Sequence, residues 1–435
     1  MPLLRTLRLL SLPLGAAALG AEGLVLRALG RDREEVTRQQ RRRTVERTRR
    51  VLGDLKGGAL KAGQLLSTVE ALFPADPEQS WREALTSLQE SNAGIPWPQA
   101  EAVLRAELGP RWRDRFERFD EAPAAAASIG QVHRAVLGGR DVAVKVQYPG
   151  VREAILSDVR AFSVASRATA LVARGVAMPP LVRELRTRLL EELDYRREAG
   201  SQRRFAAAFG PHDPEVVVPQ VLEATSRVLV QTWLDGVPLA RVATGGTQAD
   251  RDRAGELYQR FLLSGPQRCG LLHTDPHPGN FRLLADGRLG VLDFGSCLEL
   301  PGGLPRTFGR LVTALLAGGD DDVRRALREE GLVRPGARLL TDEREVGKLR
   351  DYLAPFSEPA RHETFHYTRA WLKGQFARVN DPRNPEFAVA LQLTIPAEQL
   401  FTHRVWLGIV GVLAQLEAQV PVRPELRRWL PGFEL

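Results

Sequence analysis

The run His273-Thr274-Asp275-Pro276-His277-Pro278-Gly279-Asn280, followed by Asp293-Phe294-Gly295, constrains this chain more than any other segment. Between the two, residues 281–292 read as a short hairpin turned at Asp286-Gly287. Asp293 follows Asn280 by 13 positions (293 − 280), and a hairpin of that length returns the chain to where it started. Asn280 and Asp293 are thereby expected side by side, two oxygen donors of the kind a hard divalent cation accepts.

Phosphoryl transfer needs a cover over the phosphates, a lysine pinned by a helix glutamate, a carboxylate facing the attacking hydroxyl and two side chains on metal. These parts occur here in that order. Asp275 and Asn280 have the Asp-x4-Asn spacing of a kinase catalytic loop, in which the aspartate orients the hydroxyl and the asparagine ligates metal. Upstream, Val142-Ala143-Val144-Lys145 has the pattern of a strand that holds an ammonium over the α and β phosphates. Of 61 basic residues only Lys56, Lys61, Lys145, Lys348 and Lys373 are lysine, so arginine is the default cation of this sequence. A lysine that persists in such a background marks a place where a compact ammonium is wanted, which singles out Lys61 and Lys145.

The glutamate partner is expected within residues 191–198, the dense acidic stretch Glu191-Glu192-Leu193-Asp194-Tyr195-Arg196-Arg197-Glu198. If that stretch is one helix, Asp194 and Glu198 share a face, while Glu192 lies about 120° round from Glu198, so the two glutamates serve different partners. The phosphate cover departs from the ordinary kinase pattern. No Gly-x-Gly-x-x-Gly precedes Lys145; residues 123–133 read Pro-Ala-Ala-Ala-Ala-Ser-Ile-Gly-Gln-Val-His, placing Ala125, Ala126, Ala127 and Ser128 at the nucleotide. Alanine does not take the positive φ angles with which a glycine loop folds its amides onto phosphate, so nucleotide geometry must differ and ordinary protein phosphorylation is disfavoured.

With 435 residues and 43% hydrophobic content, the chain can bury a substantial core. Two cysteines, Cys269 and Cys297, form no disulfide framework and no zinc-finger spacing, which suits a reducing compartment. The net charge of +8 is uneven: residues 31–50 hold nine arginines against four acidic residues, without the interleaved aromatics of a base-stacking surface, so no nucleic acid is expected. The first 21 residues admit three readings: a secretory signal, an amphipathic surface helix or an ordinary packing helix. No apolar run reaches the length of a spanning helix; residues 405–416 come nearest and read as a buried helix. Helical periodicity is expected over 31–73, 81–88, 97–108, 152–199, 248–263, 308–316 and 321–330. Strands are expected over 132–146 as a hairpin, 216–218 and 227–233. The order predicts an α+β, protein-kinase-like bilobal fold: a helical extension (1–120), a strand lobe with inserted helices (121–233) and a helical lobe (234–435).

Taken together, Ala-Ala-Ala-Ser-Ile-Gly-Gln-Val-His, Val-Ala-Val-Lys-Val-Gln-Tyr-Pro-Gly, Asp-Pro-His-Pro-Gly-Asn and Asp-Phe-Gly resemble the ABC1/UbiB/ADCK (AarF-type) atypical kinases. Lys61-Ala62-Gly63-Gln64 is similar to that family's Lys-x-Gly-Gln signature, and Glu192-Leu193-Asp194 to its Glu-x-Asp signature. The resemblance implies an ATP- and Mg²⁺-dependent enzyme with Asp275 as catalytic carboxylate, Asn280 and Asp293 on Mg²⁺, and Lys145 paired with Glu198. It implies further that Lys61 meets Glu192 in a regulatory extension, that the alanine loop favours ATPase over protein-kinase behaviour, and that the setting is ubiquinone or other isoprenoid lipid metabolism. An isoprenoid lipid or quinone precursor is then the expected partner. The expected location is the cytoplasm, peripheral at the inner membrane through the basic N-terminal segment. A dedicated protein kinase and a nucleotide-binding scaffold without chemistry are the alternatives. Thr274 and Ser201 depart from the family's usual alanine and asparagine.

Overall fold

In a computed structural model, the described residues are 94–127, 129–157 and 190–435 apart from 335, 380–383, 391, 395, 397 and 398, with isolated positions 160, 186 and 187. The helices expected over 31–73 and 81–88, the residues Lys61, Gly63 and Gln64, and Ser128 lie outside them. The described residues form two compact units, a strand-rich one of 94–195 with 223–230 and a helix-rich one of 196–222 with 231–435.

In the strand-rich unit, α1 (Trp97–Leu108) buries Ala100, Val103 and Leu104, the i, i+3, i+4 stripe that its sequence predicts, and ends at Gly109 with φ 90°. A 3₁₀ turn (Trp112–Arg115) leads into β1 (Arg118–Phe119) and β2 (Ala125–Ala126), then β3 (Gly130–Leu137) and β4 (Arg140–Gln147). β3 and β4 pair antiparallel from Gly130↔Gln147 to Leu137↔Arg140. The turn between them uses Gly138 and Gly139 at φ 59° and 71°, the left-handed pair that a two-residue hairpin requires. The chain continues through residues 151–157, which are helical, to α2 (Tyr195–Phe209) and β5 (Val216–Val217), then β6 (Val221–Ala224) and β7 (Val228–Thr232). The main sheet runs β1-β3-β4-β7-β6, with β2 alongside β3.

The helix-rich unit continues with β8 (Val237–Pro238), α3 (Leu239–Gly245) and α4 (Gln248–Cys269). Thr247 and Asp250 close a capping box at the start of α4, and Gly270 in the left-handed region ends it. α4 outruns its expected end at residue 263 because Ser264-Gly265-Pro266, a breaker in sequence, stays helical. A Cβ on Gly265 would stand 2.7 Å from the Leu271 carbonyl, so glycine is there for packing. β9 (Leu271–His273) pairs with β12 (Cys297–Glu299). β10 (Phe281–Leu283) and β11 (Leu289–Val291) form the hairpin expected from Asp286-Gly287, extended by β8 and β5.

Helices α5 (Arg306–Leu316), α6 (Asp320–Glu329), α7 (Glu343–Tyr352) and α8 (Ala354–Ser357) follow. After β13 (Thr364–His366) come α9 (Arg369–Val379), α10 (Pro385–Ala390), α11 (Leu400–Leu416), β14 (Gln419–Pro421) and α12 (Arg423–Trp429). Phe205, Tyr258, Phe261, Phe281, Phe294 and Leu413 share one core. Among the described residues, no helix is long and apolar enough to cross a membrane.

Candidate active site

In the strand-rich unit, Lys145 sits on β4 opposite Val132 and is 5% exposed, with Nζ 5.5 Å from the centre of the Tyr195 ring. The strand fixes it: Val142, Val144 and Val146 bury one face and alternation turns Lys145 to the other. The alanine segment is a strand and not a phosphate-wrapping loop. Ala125 and Ala126 pair with Val132 and Gln131, both alanines are exposed, and Ala127 follows half-buried. Ala124 N donates to Val132 O and Ala127 N to Gly130 O (both 2.8 Å), so amides that a glycine loop would present to phosphate are spent on β3. Behind β2, Gln131 and His133 are fully buried and joined to each other, and Gln131 Oε1 accepts from Ile95 N at 2.8 Å.

In the helix-rich unit, Asp275 and Asn280 face one another across the loop. Asn280 Nδ2 donates to Asp275 Oδ2 at 2.8 Å and to the Asp275 carbonyl at 3.3 Å. That fixes which way the Asn280 amide points and turns its oxygen away from Asp275. Gly295 N donates to Asp293 Oδ1 at 2.9 Å, and Phe294 N lies 3.5 Å from Glu198 Oε1, so Glu198 on α2 buttresses the Asp-Phe-Gly turn. Phe294, 1% exposed, anchors the turn in the core against Phe205 at 5.2 Å. His273 Nε2 lies 2.5 Å from the Asp293 carbonyl and therefore donates to it; burial holds the ring's pKa below its ordinary value and the imidazole neutral.

The two departures from the family pattern sit beside the Asp-Phe-Gly turn and its strand. Thr274 Oγ1 bonds Ser296 Oγ at 2.8 Å, and beside Ser201 the Cys297 thiol, whose pKa burial pushes up, donates to the Phe294 carbonyl at 3.4 Å. His277 is exposed, its Nδ1 accepting from Gly279 N at 3.1 Å, so it caps a short turn.

One sequence expectation fails. Glu192 and Asp194 are not on a helix with Glu198: residues 192–194 are turn and irregular chain, and α2 starts at Tyr195. The backbone there is drawn away by other partners, Gln147 Nε2 donating to Leu193 O at 3.2 Å and Tyr195 N to Ser226 O at 3.1 Å. The facial relation inferred from 100° steps therefore does not hold, although Glu192 and Asp194 are half-buried and Glu198 is 4% exposed.

Sequence reasoning also missed Arg404. Its Nη2 donates to Asp275 Oδ1 at 3.0 Å. The expected helix began one residue later, at 405; an isolated charge at the head of an apolar helix was the available signal.

The donor set fits Mg²⁺. Asn280 and Asp293 would supply oxygens from one amide and one carboxylate, the sparse protein contribution Mg²⁺ accepts when waters and phosphates complete its shell. Among the described residues, no group of three or more His, Cys, Asp or Glu side chains could hold a metal by itself.

A mixed helix and sheet fold with a strand lysine, an Asp-x4-Asn loop and an Asp-Phe-Gly turn defines a kinase-like protein. The ABC1 atypical kinase-like domain matches residues 87–327, more than half of the chain, and the chain belongs to that family. It is 35% identical over 259 residues to "Atypical kinase COQ8, mitochondrial" of Saccharomyces cerevisiae, covering 58% of this chain and 50% of that one. It is 28% identical over 388 residues to "Atypical kinase coq-8, mitochondrial" of Caenorhabditis elegans, covering 84% and 48%. The chain thus spans about half the length of these relatives. Among solved structures, the Rv3197–erythromycin complex from Mycobacterium tuberculosis matches with a TM-score of 0.69 and 37% identity, over 92% of this chain and 99% of that one.

Proposed function

We propose that this protein consumes ATP with Mg²⁺, passing the phosphoryl group to water or to a small isoprenoid lipid or quinone precursor at a membrane surface. The observation that carries this reading is the pair of clamped loops: Asn280 Nδ2 holds Asp275 Oδ2 in one, and in the other Gly295 N holds Asp293 Oδ1 with Glu198 beside the Phe294 amide. Asp275 orients the attacking hydroxyl, Asn280 and Asp293 hold the metal, and Lys145 takes the α and β phosphates. When bound, Mg²⁺ neutralises charge on the phosphate oxygens.

Use of the Ala124 and Ala127 amides by β3 supports restraint of protein-kinase activity and favours hydrolysis or transfer to a small acceptor. Lys61 of the Lys-x-Gly-Gln segment, with Gly63 and Gln64, is assigned to regulation through Glu192 and Asp194. Ubiquinone metabolism follows from the family likeness.

The test is ADP release by the purified chain with Mg²⁺, alone and with anionic liposomes or quinone-like phenols, alongside transfer of label from γ-labelled ATP. Stimulation by liposomes or phenols supports the lipid setting; label on an added protein in preference to lipid or water overturns it. A second reading rests on the mycobacterial relative solved with erythromycin, which matches nearly end to end. A macrolide lactone is then the ligand, and erythromycin should shift the unfolding temperature.

A further inference from the structure

The Asp275 carboxylate is held at both oxygens. Asn280 Nδ2 takes Oδ2 at 2.8 Å, and Arg404 Nη2, from the second turn of α11, takes Oδ1 at 3.0 Å. The side chains of Arg404 and Asp275 are 19% and 20% exposed, partly withdrawn from water, so the pair is shielded better than a surface ion pair.

The rest of α11 is built to deliver this one charge. Arg404 is the only formally charged residue among its 17, and the helix otherwise buries apolar side chains such as Phe401, Val405, Ile409 and Leu413. One turn on, Gly408 lies against the residue that follows Asp275: a Cβ there would stand 2.2 Å from Pro276 Cγ. From α4, Tyr258 Oη donates to the Pro276 carbonyl at 2.7 Å. The Asp275-Pro276 peptide is therefore gripped by two helices, and Arg404 is the part of that grip that reaches the carboxylate.

The loop supplies no cation of its own. Residues 270–280 contain neither lysine nor arginine, and His277, two positions after Asp275, is turned to the Gly279 amide. Phosphoryl transfer spreads negative charge over the moving group, and a carboxylate beside it must be both oriented and compensated. Arg404 meets both needs from a distant part of the chain.

We propose that Arg404 is the positioning residue of Asp275, fixing the carboxylate's rotamer and compensating its charge during phosphoryl transfer. The inference rests on the ATP-consuming reading above and assigns α11 a part in it. Because Arg404 acts through Asp275, its loss should lower kcat and leave the KM for ATP nearly unchanged.

The experiment compares Mg²⁺-dependent ATP turnover of wild type, Arg404→Gln, Arg404→Lys, Asp275→Asn and Arg404→Gln/Asp275→Asn, each at a temperature where its unfolding curve shows it folded. Misplacing a catalytic group costs about 10- to 100-fold in kcat, and that loss is expected for Arg404→Gln with KM within about twofold. Arg404→Lys, which keeps the charge but not the fork, should recover part of the loss. The double variant should be no slower than Asp275→Asn, since both act through one carboxylate.

Wild-type kcat in Arg404→Gln, a change confined to KM, or multiplicative losses in the double variant overturn the positioning role while leaving the ATP reading intact. Absence of turnover in wild type overturns both, so the two failures are told apart. If Arg404→Gln does not fold, Arg404→Lys carries the same test: its kcat must fall below wild type at constant KM, and an unchanged kcat refutes the proposal.

Discussion

The two units hold their functional side chains by different means. Lys145 stands on a strand whose eight-residue ladder with β3 sets its direction, so its placement is a backbone property. Asp275, Asn280 and Asp293 stand on short loops, where placement depends on side chains from elsewhere: Tyr258 on Pro276, Arg404 on Asp275, Glu198 on the Phe294 amide, His273 on the Asp293 carbonyl. A ladder tolerates most single changes around it. A clamped loop does not, and substitutions in the helix-rich unit that never touch a ligand should disturb chemistry.

The largest effect is expected where the clamp meets the core. Phe294→Ala leaves a void under the Asp-Phe-Gly turn and should cost about 3–5 kcal/mol in urea unfolding. Its turnover should fall even where the protein is folded; full turnover in folded Phe294→Ala would break the comparison. Tyr258→Phe removes the donor to a buried carbonyl and should cost about 1–3 kcal/mol, with a drop in kcat that no strand-unit hydrogen bond of similar burial produces.

Acid should weaken both units through histidines held neutral, His133 and His273 fully buried and His403 half-buried. Burial lowers the pKa of His133 in the strand-rich unit and of His273 and His403 in the helix-rich one, His403 to about 4. A group whose folded pKa lies below its unfolded value of about 6.5 binds fewer protons when folded, so its stabilisation is present above about pH 6.5 and lost as pH falls. For His403 that window runs from about 6.5 down to about 4. Urea midpoints should therefore drop between pH 7 and 5, and His403→Phe should flatten part of the drop. The smallest effect is expected at the exposed alanine strand: Ala125→Gly should cost no more than about 1 kcal/mol in unfolding, while nucleotide affinity changes measurably.

Much of this was legible in the sequence, and unevenly so. The first described helix matches its expected bounds of 97–108, and the hairpin expected over 132–146 forms, turning at Gly138-Gly139, because local periodicity and turn chemistry dictate both. The Asp275, Asn280 and Asp293 motif was readable because its spacing is itself the signal. β2 was not, since a run of alanines carries no strand pattern until β3 lies beside it. The Glu192–Asp194 geometry was misread because Gln147 and Ser226, distant in sequence, claim backbone groups that a helix would have used. The lone charge at the head of an apolar helix marked Arg404 but not its partner, which is 129 residues away.

The most direct test of the central claim is Mg²⁺-dependent ADP release by wild type and Asp293→Asn, with unfolding curves for both. Turnover that requires Mg²⁺ in wild type and vanishes in a folded Asp293→Asn is the predicted result. Equal turnover in the two, or none in either, contradicts the account.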